Sequence, residues 1–375
     1  MEYILIEECC DILDSRRIPI TASDRMSGPY PYYGANGVQD YVADYIFDDE
    51  LVLIAEDGGN FGSKTRPIAY RVSGKCWVNN HAHVLKPMAS MDVDYLCYSL
   101  MFYDTGELVN GATRQKLTQT AMRKMLIPQR SLQEQKRIVC ELSKVQSIIS
   151  ARQQQLQKLD ELVKARFIEL FGDPVRNSMG LPTEPMTTVC AIIDGDRGKN
   201  YPKQDEFSDT GYCLFLNAKN VTATGFSFES RMFITKEKDN ALHNGKLERG
   251  DVVLTTRGTL GNLAFYDDSV PFENVRINSG MVILRMNKSV MTEVFFMEQF
   301  KLQLQSIKGK IASGSAQPQL PVSTMNKIRI LLAPMALQEQ FAAFVEQTDK
   351  SKVAVQKALD ETQLLFDSLM QKYFE

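Results

Sequence analysis

The feature that most constrains this sequence is a repeated segment. The letters LQEQ occur at 132–135 and again at 337–340, and each copy follows a proline and opens a long stretch of helix-forming residues. A repeat with so long a period is not a solenoid unit, and it indicates a duplicated domain followed by a helix. The chain is therefore predicted to fold as two related halves.

Further matches extend the repeat upstream of both helices. The segment GATRQKLTQTAMRKM (111–125) matches GSAQPQLPVSTMNKI (314–328), and WVNNHAHVL (77–85) resembles VRINSGMVIL (275–284). In each half, these segments follow an apolar strand that ends in a glycine-rich turn. Each half thus predicts a β-rich region, a linking segment and a helix, which together make an α+β fold.

Both predicted helices carry a narrow apolar stripe with alternating spacings of four and three. The first stripe is interrupted only at Arg152, and the second has polar residues at Thr348, Lys352 and Thr362. A heptad stripe of this kind is typical of a coiled coil. Because each stripe needs a partner, we expect the two helices to pair with each other, with two separate surface helices as the alternative.

The limits of the helices follow from local signals. Ser131, with Glu134 three residues later, is a capping-box pattern, and Gly172 is a typical helix stop. The segment FGDPVRNSMGLPTEP that follows is rich in glycine and proline, as a linker is. The predicted organisation is a first β-rich domain at 1–130, a helix at 131–172, a second β-rich domain at 173–335 and a second helix at 336–375.

Composition limits the class of protein. The chain is 44% hydrophobic and 24% charged, as soluble globular proteins are, and it has no run of about 18 apolar residues that would span a membrane. Acidic residues within the apolar N-terminus do not fit a signal peptide. Seven cysteines without a CxxC pair indicate a reduced, cytoplasmic protein. The net charge of −3 counts mildly against nucleic-acid binding, although a local basic surface is compatible with it.

Motifs for catalysis are weak. GGNFGSKT (58–65) resembles a phosphate-binding loop, but Ser63 stands where glycine is needed and a strand follows instead of a helix. His81 and His83 could form a metal pair on one strand face. The chain has only one other histidine, His243, and no cysteine or carboxylate spacing completes a zinc site. We therefore assign no catalytic residue and no metal ligand to this chain.

Polar and basic loops suit DNA better than they suit catalysis. They are GPYPYYGANG (28–37), GATRQK (111–116), DGDRGKNYPK (194–203) and TTRGTLGN (255–262). Arginine reads guanine edges, asparagine and glutamine read adenine, and hydroxyl and backbone amide groups hold phosphates. For any single residue, ordinary turn chemistry is the alternative.

Taken together, these features resemble the specificity subunit of a type I restriction–modification system. No single motif is specific, but their order and their duplication are. The segments that carry the likeness are CDILDSRRIPIT (10–21), YPYYGANGVQDYV (30–42) and WVNNHAHVL in the first half, DRGKNYP (196–202), FLNAKNV (215–221), TTRGTLGN and RINSGMVILR (276–285) in the second, and ELFGDP (169–174) at the end of the first helix.

The resemblance implies two target-recognition domains separated by two long helices that pair as an antiparallel coiled coil, with pseudo-two-fold symmetry. It implies reading of a bipartite double-stranded DNA target and docking of two adenine methyltransferase subunits, joined by two restriction subunits in a system that also cleaves. S-adenosylmethionine, ATP and magnesium would then be bound by those partners and none by this non-catalytic chain. The alternatives are a methylation-only complex, an unrecognised nuclease and a purely structural coiled-coil adaptor.

The loops and the resemblance together predict which residues contact DNA. We expect Arg257 to read a base and Lys116 to bind a phosphate. The full set of predicted DNA contacts is Tyr30, Tyr32, Asn36, Lys64, Asn80, His81, Arg114 and Lys116 in the first half, and Arg197, Lys199, Tyr201, Arg257, Thr259, Arg276 and Asn278 in the second.

Overall fold

The structure is a computed structural model that describes residues 2–111, 115–312 and 319–374. The chain divides into two compact units. Unit 1 comprises Met1–Gln154 with Gln356–Glu375, and unit 2 comprises Gln155–Val355. Both divisions fall inside the long helices, so each unit contains a part of each helix.

Unit 1 is built on a six-stranded sheet with the strand order β2-β7-β5-β6-β3-β4. Neighbouring strands are antiparallel except β3 and β6, which are parallel. Strands β1 and β10, and β8 and β9, form separate pairs. The elements are β1 (Tyr3–Leu5), α1 (Ile6–Cys9), β2 (Cys10–Ile12), β3 (Ser27–Gly34), β4 (Gly37–Val42), β5 (Phe47–Ala55), β6 (Ala69–Val78), β7 (Ala82–Pro87), α2 (Val93–Met101), β8 (Val109–Asn110), β9 (Lys116–Leu117), α3 (Gln119–Met122) and β10 (Leu126–Pro128).

Helix α4 (Leu132–Phe171) follows in the sequence and is divided between the two units. Unit 2 has a four-stranded sheet of order β12-β20-β17-β18 and a three-stranded sheet of order β16-β13-β19. Its elements are β11 (Thr183–Pro185), α5 (Met186–Val189), β12 (Cys190–Asp194), β13 (Cys213–Leu216), β14 (Val221–Thr222), β15 (Gly225–Phe226), β16 (Phe233–Ile234), α6 (Lys236–Ala241), β17 (Asp251–Thr255), β18 (Leu263–Tyr266), β19 (Val275–Ile277), β20 (Met281–Met286), α7 (Glu293–Ala312), α8 (Val322–Met325) and β21 (Arg329–Leu331). Helix α9 (Met335–Phe374) ends the described chain.

The two units use the same plan. Strands β2, β7, β5 and β6 correspond to β12, β20, β17 and β18, and the parallel pair of β3 with β6 corresponds to that of β13 with β19. In unit 1, the long strand β6 pairs with both β5 and β3, whereas in unit 2 these pairings are divided between β18 and β19. The predicted duplicated α+β plan is confirmed.

The two long helices are each 40 residues long and pair with each other. In unit 1, the first part of α4 lies against the last part of α9, where the Tyr373 hydroxyl donates to the Glu141 carboxylate at 2.7 Å. In unit 2, the end of α4 lies against the start of α9, where the ring centroids of Phe167 and Phe341 are 5.5 Å apart. The helices therefore run antiparallel, as predicted.

Polar residues in the helix stripes find partners on the opposite helix. In unit 1, the Arg152 guanidinium donates to the Thr362 hydroxyl and to the Ala358 carbonyl oxygen. In unit 2, the Lys352 ammonium lies 2.7 Å from the Asp160 carboxylate. Because a buried charge without a partner is costly, these contacts explain how the stripes tolerate their polar positions.

The ends of the helices follow the predicted signals in part. The Ser131 hydroxyl accepts from the backbone N–H of Glu134 at 3.3 Å, which forms one half of the capping box. The Glu134 carboxylate instead pairs with Arg130 at 2.7 Å. Gly172 ends α4 with a φ of 75°, which suits glycine. Within the described residues, no helix combines the length and apolar character that a membrane span requires.

Each sheet is fixed to the helices through a shared apolar core. In unit 1, Val52 and Leu85 of the sheet belong to the same buried cluster as Leu142 of α4. In unit 2, Val252 belongs to the same buried cluster as Phe341 of α9. Burial of these side chains stabilises the units, and the loops at the strand ends remain on the surface.

Candidate nucleic-acid interface

In unit 1, several predicted DNA-contacting loops surround one cavity of about 450 Å³. The walls come from the loop after β2, the hairpin between β3 and β4, the turn after β5 and the segment before β7. Of the predicted residues, Tyr32, Asn36, Asn80 and His81 line this cavity. The fold thus brings together four residues that are far apart in the sequence.

Hydrogen bonds hold the walls of this cavity in place. The Asn36 side-chain amide donates to the Gly58 carbonyl oxygen at 3.0 Å, which joins the hairpin to the turn after β5. The His81 Nδ1 atom lies 2.6 Å from the Asp57 carboxylate. When Nδ1 donates to that carboxylate, Nε2 is left as a hydrogen-bond acceptor for a ligand.

The Tyr32 prediction needs correction, because the ring is 1% exposed. Its hydroxyl is hydrogen-bonded to the backbone of Ile20 at 3.2 Å, and the Arg25 guanidinium lies 4.2 Å from the ring centroid. Arg25 also pairs with Asp40 at 3.3 Å. Tyr32 therefore supports the cavity wall, and Arg25, which the sequence analysis missed, offers the charged group there.

Tyr30 and Lys64, two further predicted residues of unit 1, do not line the cavity. Tyr30 packs against Tyr45, with ring centroids 5.0 Å apart. Lys64 is exposed in the loop between β5 and β6. Arg114 lies outside the described residues, so its predicted role stays a prediction.

Lys116 is paired within unit 1 before any DNA is bound. Its ammonium lies 3.0 Å from the Glu56 carboxylate, which Arg17 also binds at 2.6 Å. Burial raises the pKa of Glu56, but the hydrogen bonds from Arg17 and Lys116 outweigh burial and hold it below its usual value. The Lys116 side chain is about half exposed, so it can still reach a ligand.

A neighbouring cluster has the composition of a metal site but not its bonding. Ligand atoms of Asp14, Glu56 and His83 lie within 4.8 Å of one another. His83 contacts the Asp14 carboxylate through Nδ1 at 2.6 Å and the Leu117 carbonyl oxygen through Nε2 at 2.8 Å. Burial raises the pKa of Asp14, but the interactions with His83 and other donors outweigh burial and hold the pKa below its usual value. Each ring nitrogen of His83 thus already faces an oxygen atom of this chain.

Unit 2 has a smaller cavity of about 170 Å³ at the corresponding loops. The loop after β12, the turn after β17 and the start of α8 form its walls. Of the predicted residues, Arg197 and Arg257 line it, together with Asp194 and Thr256. Two guanidinium groups therefore lie at one cavity.

The two arginines differ in how they are held. Arg197 Nη2 lies 3.0 Å from the Asp194 carboxylate and 3.4 Å from the Ser279 carbonyl oxygen. Arg257 is exposed, and its guanidinium has no hydrogen bond or ion pair with the described part of the chain. Arg197 is thus anchored in the free protein, whereas Arg257 can move.

Asp196 fixes the loop that carries Arg197. Its carboxylate accepts from the backbone N–H groups of Arg197 at 2.7 Å and His243 at 2.5 Å. Burial raises the pKa of Asp196, but backbone N–H donors outweigh burial and lower it. The carboxylate therefore stays ionised at neutral pH and ties the loop to the segment after α6.

Four further predicted residues of unit 2 lie near the arginines in sequence but do not line the cavity. Lys199 and Thr259 are exposed. Tyr201 packs edge-on against Phe215, with ring centroids 5.6 Å apart. The Asn278 side chain accepts from a backbone N–H two residues later at 2.9 Å, so it shapes the turn before β20.

Arg276 does not lie on the surface, and the prediction that it contacts DNA is wrong for this structure. It is 5% exposed, and its Nε donates to the Asp239 carboxylate at 2.5 Å. Its Nη1 donates to the Asn244 carbonyl oxygen at 2.6 Å. Arg276 therefore stabilises the interior of unit 2.

The sequence analysis also missed a repeated acid–base pair. Asp14 and Arg17 follow β2 and lie 3.5 Å apart, and Asp194 with Arg197 takes the same place after β12 at 3.0 Å. The signal was present in the letters, because CDILDSRR (10–17) and CAIIDGDR (190–197) place Cys, Ile, Asp and Arg at identical spacing.

Sequence comparisons agree with the duplicated plan. The family model described as type I restriction modification DNA specificity domain matches residues 1–161 and again residues 187–362. The chain is 24% identical over 352 residues to a putative type I restriction enzyme specificity subunit of Haemophilus influenzae, covering 92% of this chain and 87% of that one. It is 23% identical over 398 residues to the type I restriction enzyme MjaVIII specificity subunit of Methanocaldococcus jannaschii, covering 95% and 89%.

Solved structures show the same fold. The S subunit of a type I restriction–modification system from M. genitalium aligns with a TM-score of 0.59 and 15% identity, covering 100% of this chain and 96% of the other. A chain from a structure of the type I R-M system aligns with a TM-score of 0.55 and 16% identity, covering 100% and 97%. The family model matches most of the sequence in two copies. The chain therefore belongs to the family of type I restriction–modification specificity subunits, which recognise DNA and leave catalysis to their partner subunits.

Proposed function

We propose that this chain reads a bipartite DNA target, with one half-site for each unit. The recognition domains would be 1–130 and 173–335, and the spacer helices 131–172 and 336–375. One observation carries the proposal: in both units, the loop after the first strand of the sheet and the turn after its central strand line one cavity. Most proteins place binding residues on such loops, because a rigid scaffold positions them.

The chemistry of the two cavities supports different half-sites. The unit 1 cavity offers the amide groups of Asn36 and Asn80 and the imidazole of His81. The unit 2 cavity offers the guanidinium groups of Arg197 and Arg257. Amide side chains pair with adenine and guanidinium groups with guanine, so the two units would select different base sequences.

The long helices would dock two adenine methyltransferase subunits and, in a system that also cleaves, two restriction subunits would join them. Large apolar side chains on these helices are exposed, which supports a partner contact there. They include Ile148 at 45%, Leu162 at 47%, Leu364 at 69% and Val353 at 70% exposure.

S-adenosylmethionine, ATP and magnesium would be bound by the partner subunits in the cytoplasm. The glycine-rich stretch 58–65 is the segment of this chain most like a phosphate-binding loop. Because strand β6 and no helix follows it, no helix N-terminus faces this stretch. This arrangement supports a subunit whose role is recognition.

The experiment compares the methylomes of a host that carries the whole system with and without this chain. We expect methylated adenines in one motif of two separated half-sites, present only with the chain. A methylation pattern that does not depend on the chain, or a continuous motif, would contradict the proposal.

The competing functions give separate results. A nuclease would cleave duplex DNA as the isolated chain with magnesium. A structural adaptor would support methylation without sequence preference. A methylation-only complex would modify the motif, but unmethylated phage DNA would remain uncut in the same host.

A further inference from the structure

The different settings of the two arginines in unit 2 suggest different roles. All of the contacts of Arg197 with Asp194 and Ser279 use Nη2, and Nη1 and Nε have no partner among the described residues. The side chain is about half exposed, so the unpartnered part of the guanidinium is open to a ligand. The Arg257 side chain, which lines the same cavity, has no hydrogen bond or ion pair with any residue in 2–111, 115–312 or 319–374.

An arginine that reads a base and one that binds a phosphate have different requirements. Two parallel hydrogen bonds to a guanine edge require a fixed guanidinium plane, and a carboxylate on one Nη2 hydrogen limits the orientation of that plane. Each donor pair of a guanidinium includes Nη2, so a guanine would take the second Nη2 hydrogen, which makes the long 3.4 Å contact with Ser279 in the free protein, together with the unpartnered Nη1 or Nε. A phosphate contact tolerates a mobile side chain, because charge rather than orientation dominates it.

Building on the proposed function, we propose that Arg197 reads a base of the second half-site, that Asp194 is its positioning residue, and that Arg257 binds a phosphate. In the free protein, the Asp194 carboxylate limits the rotamers of Arg197. In a complex with unrelated DNA, the same carboxylate competes with phosphates for Arg197. Asp194 therefore raises the preference for the correct sequence in two ways.

Unit 1 shows what the same pair does when it is structural. Arg17 is 13% exposed, and it binds the Glu56 carboxylate at 2.6 Å and the Ala82 carbonyl oxygen at 2.8 Å in addition to Asp14. Its guanidinium is thus bound on several sides and closed to DNA. The exposed pair in unit 2 lacks this enclosure because Thr256 takes the place of Glu56 after the central strand.

The test uses the chain assembled with its methyltransferase subunits and measures binding to matched, single-mismatch and unrelated duplexes across a salt series. For Asp194→Asn, we expect binding to unrelated DNA to rise about two- to five-fold, the range of an exposed ion pair. The salt slope should become steeper by about 0.9, the value for one phosphate contact. Binding to the matched duplex should rise less, so the preference falls.

Two arginine variants separate the roles. Arg197→Lys keeps the charge but loses the planar fork, and it should lower discrimination at one base pair by roughly five- to 150-fold, the range of a bidentate base contact. Arg257→Ala should weaken binding to all duplexes alike and make the salt slope shallower by about 0.9.

Glu248→Gln is the matched control, because Glu248 is an exposed carboxylate of unit 2 paired with Arg285 at 2.6 Å and gives the same change in net charge. It should leave discrimination and salt slope as in the wild type. The inference is overturned if Arg257→Ala relaxes one base pair while Arg197→Lys does not, or if Asp194→Asn leaves the preference unchanged. If the wild-type assembly fails to distinguish matched from unrelated DNA, the proposed function itself fails.

Discussion

Gln135 and Gln338 make the same three hydrogen bonds in their respective units. The side-chain oxygen of Gln135 accepts from the backbone N–H of Asp92, just before α2, at 2.7 Å. The side-chain oxygen of Gln338 accepts from the backbone N–H of Thr292, just before α7, at 2.9 Å. The side-chain nitrogen of Gln135 donates to the carbonyl oxygens of Ser90 and Arg130. That of Gln338 donates to the carbonyl oxygens of Val290 and Ala333, at the corresponding positions. Both glutamines therefore join the start of a long helix to the end of a sheet.

These contacts explain the recurring LQEQ and correct its register. Gln135 is the fourth letter of the first copy, whereas Gln338 is the second letter of the other copy. The helices correspond residue by residue from their first positions, Leu132 and Met335, to their last. The repeated letters thus indicate the correct duplication but are displaced by two residues from the structural equivalence.

Replacing Gln135 by Ala should reduce the free energy of unfolding by about 1–3 kcal/mol, because the buried Gln135 side chain is the hydrogen-bond partner of three backbone groups. Gln133→Ala is the control, since Gln133 is exposed in the same LQEQ segment. Urea unfolding followed by the fluorescence of Trp77, the single tryptophan of the chain, measures both variants in unit 1. Equal stability of the two variants would contradict the structural role of Gln135.

Arg276→Ala should reduce the free energy of unfolding by up to roughly 3–5 kcal/mol, because it leaves the buried Asp239 carboxylate with Lys246 as its one cationic partner among the described residues. Arg257→Ala should change the free energy by less than about 0.5 kcal/mol, as is usual at exposed positions. Urea unfolding followed by circular dichroism compares the two. Similar losses for both arginines would contradict the burial of Arg276.

Acid should weaken unit 2 through Asp239. Burial raises its pKa, but Lys246 and Arg276 outweigh burial and hold it below the usual value of 3.8. The folded state therefore gains stability that is present above pH 3.8 and is lost as the pH falls through the lower folded-state pKa. The stability difference between the wild type and Asp239→Asn should shrink from about pH 5 toward about pH 2, because the carboxyl group of the unfolded state protonates over this range. A difference that stays constant over this range would rule out this titration.

Phe167→Ala should reduce the free energy of unfolding by roughly 3–5 kcal/mol, since it removes a fully buried aromatic ring. Phe167 contacts both Phe341 of α9 and Phe295 of α7, with centroids 5.5 Å away in each case. Ile168→Ala, at a neighbouring residue that is 40% exposed, is the control and should cost less than about 1 kcal/mol. Calorimetry measures the thermal unfolding of both variants. Equal melting temperatures would contradict the pairing of the helices.

The sequence was sufficient for the helices and for the duplication, because both are written as local patterns. The heptad stripe predicted that the two helices pair, and the family resemblance implied the antiparallel direction. The partners of Arg152 and Lys352 explain the interruptions of the stripe. The register of the repeat was not predictable from LQEQ alone, since Gln135 and Gln338 are defined by bonds to residues more than forty positions earlier.

The site was predictable as a set of loops but not residue by residue. The sequence around Asn36 and Arg257 does not distinguish them from Tyr32 and Arg276, because all four are polar or aromatic residues beside predicted turns. Only the long-range packing shows that Tyr32 and Arg276 are buried. Asp194 escaped notice because its ion pair with Arg197 depends on a distance in the folded chain that the sequence alone does not give.

The most direct test of two independent recognition domains is a hybrid in which residues 180–330 are replaced by the equivalent region of a related specificity subunit. The methylated motif is then mapped in a host that carries the hybrid and the wild-type methyltransferase subunits. We predict that one half-site changes and the other is retained, because each unit has its own core and its own cavity. A hybrid that changes or loses both half-sites together would contradict the account.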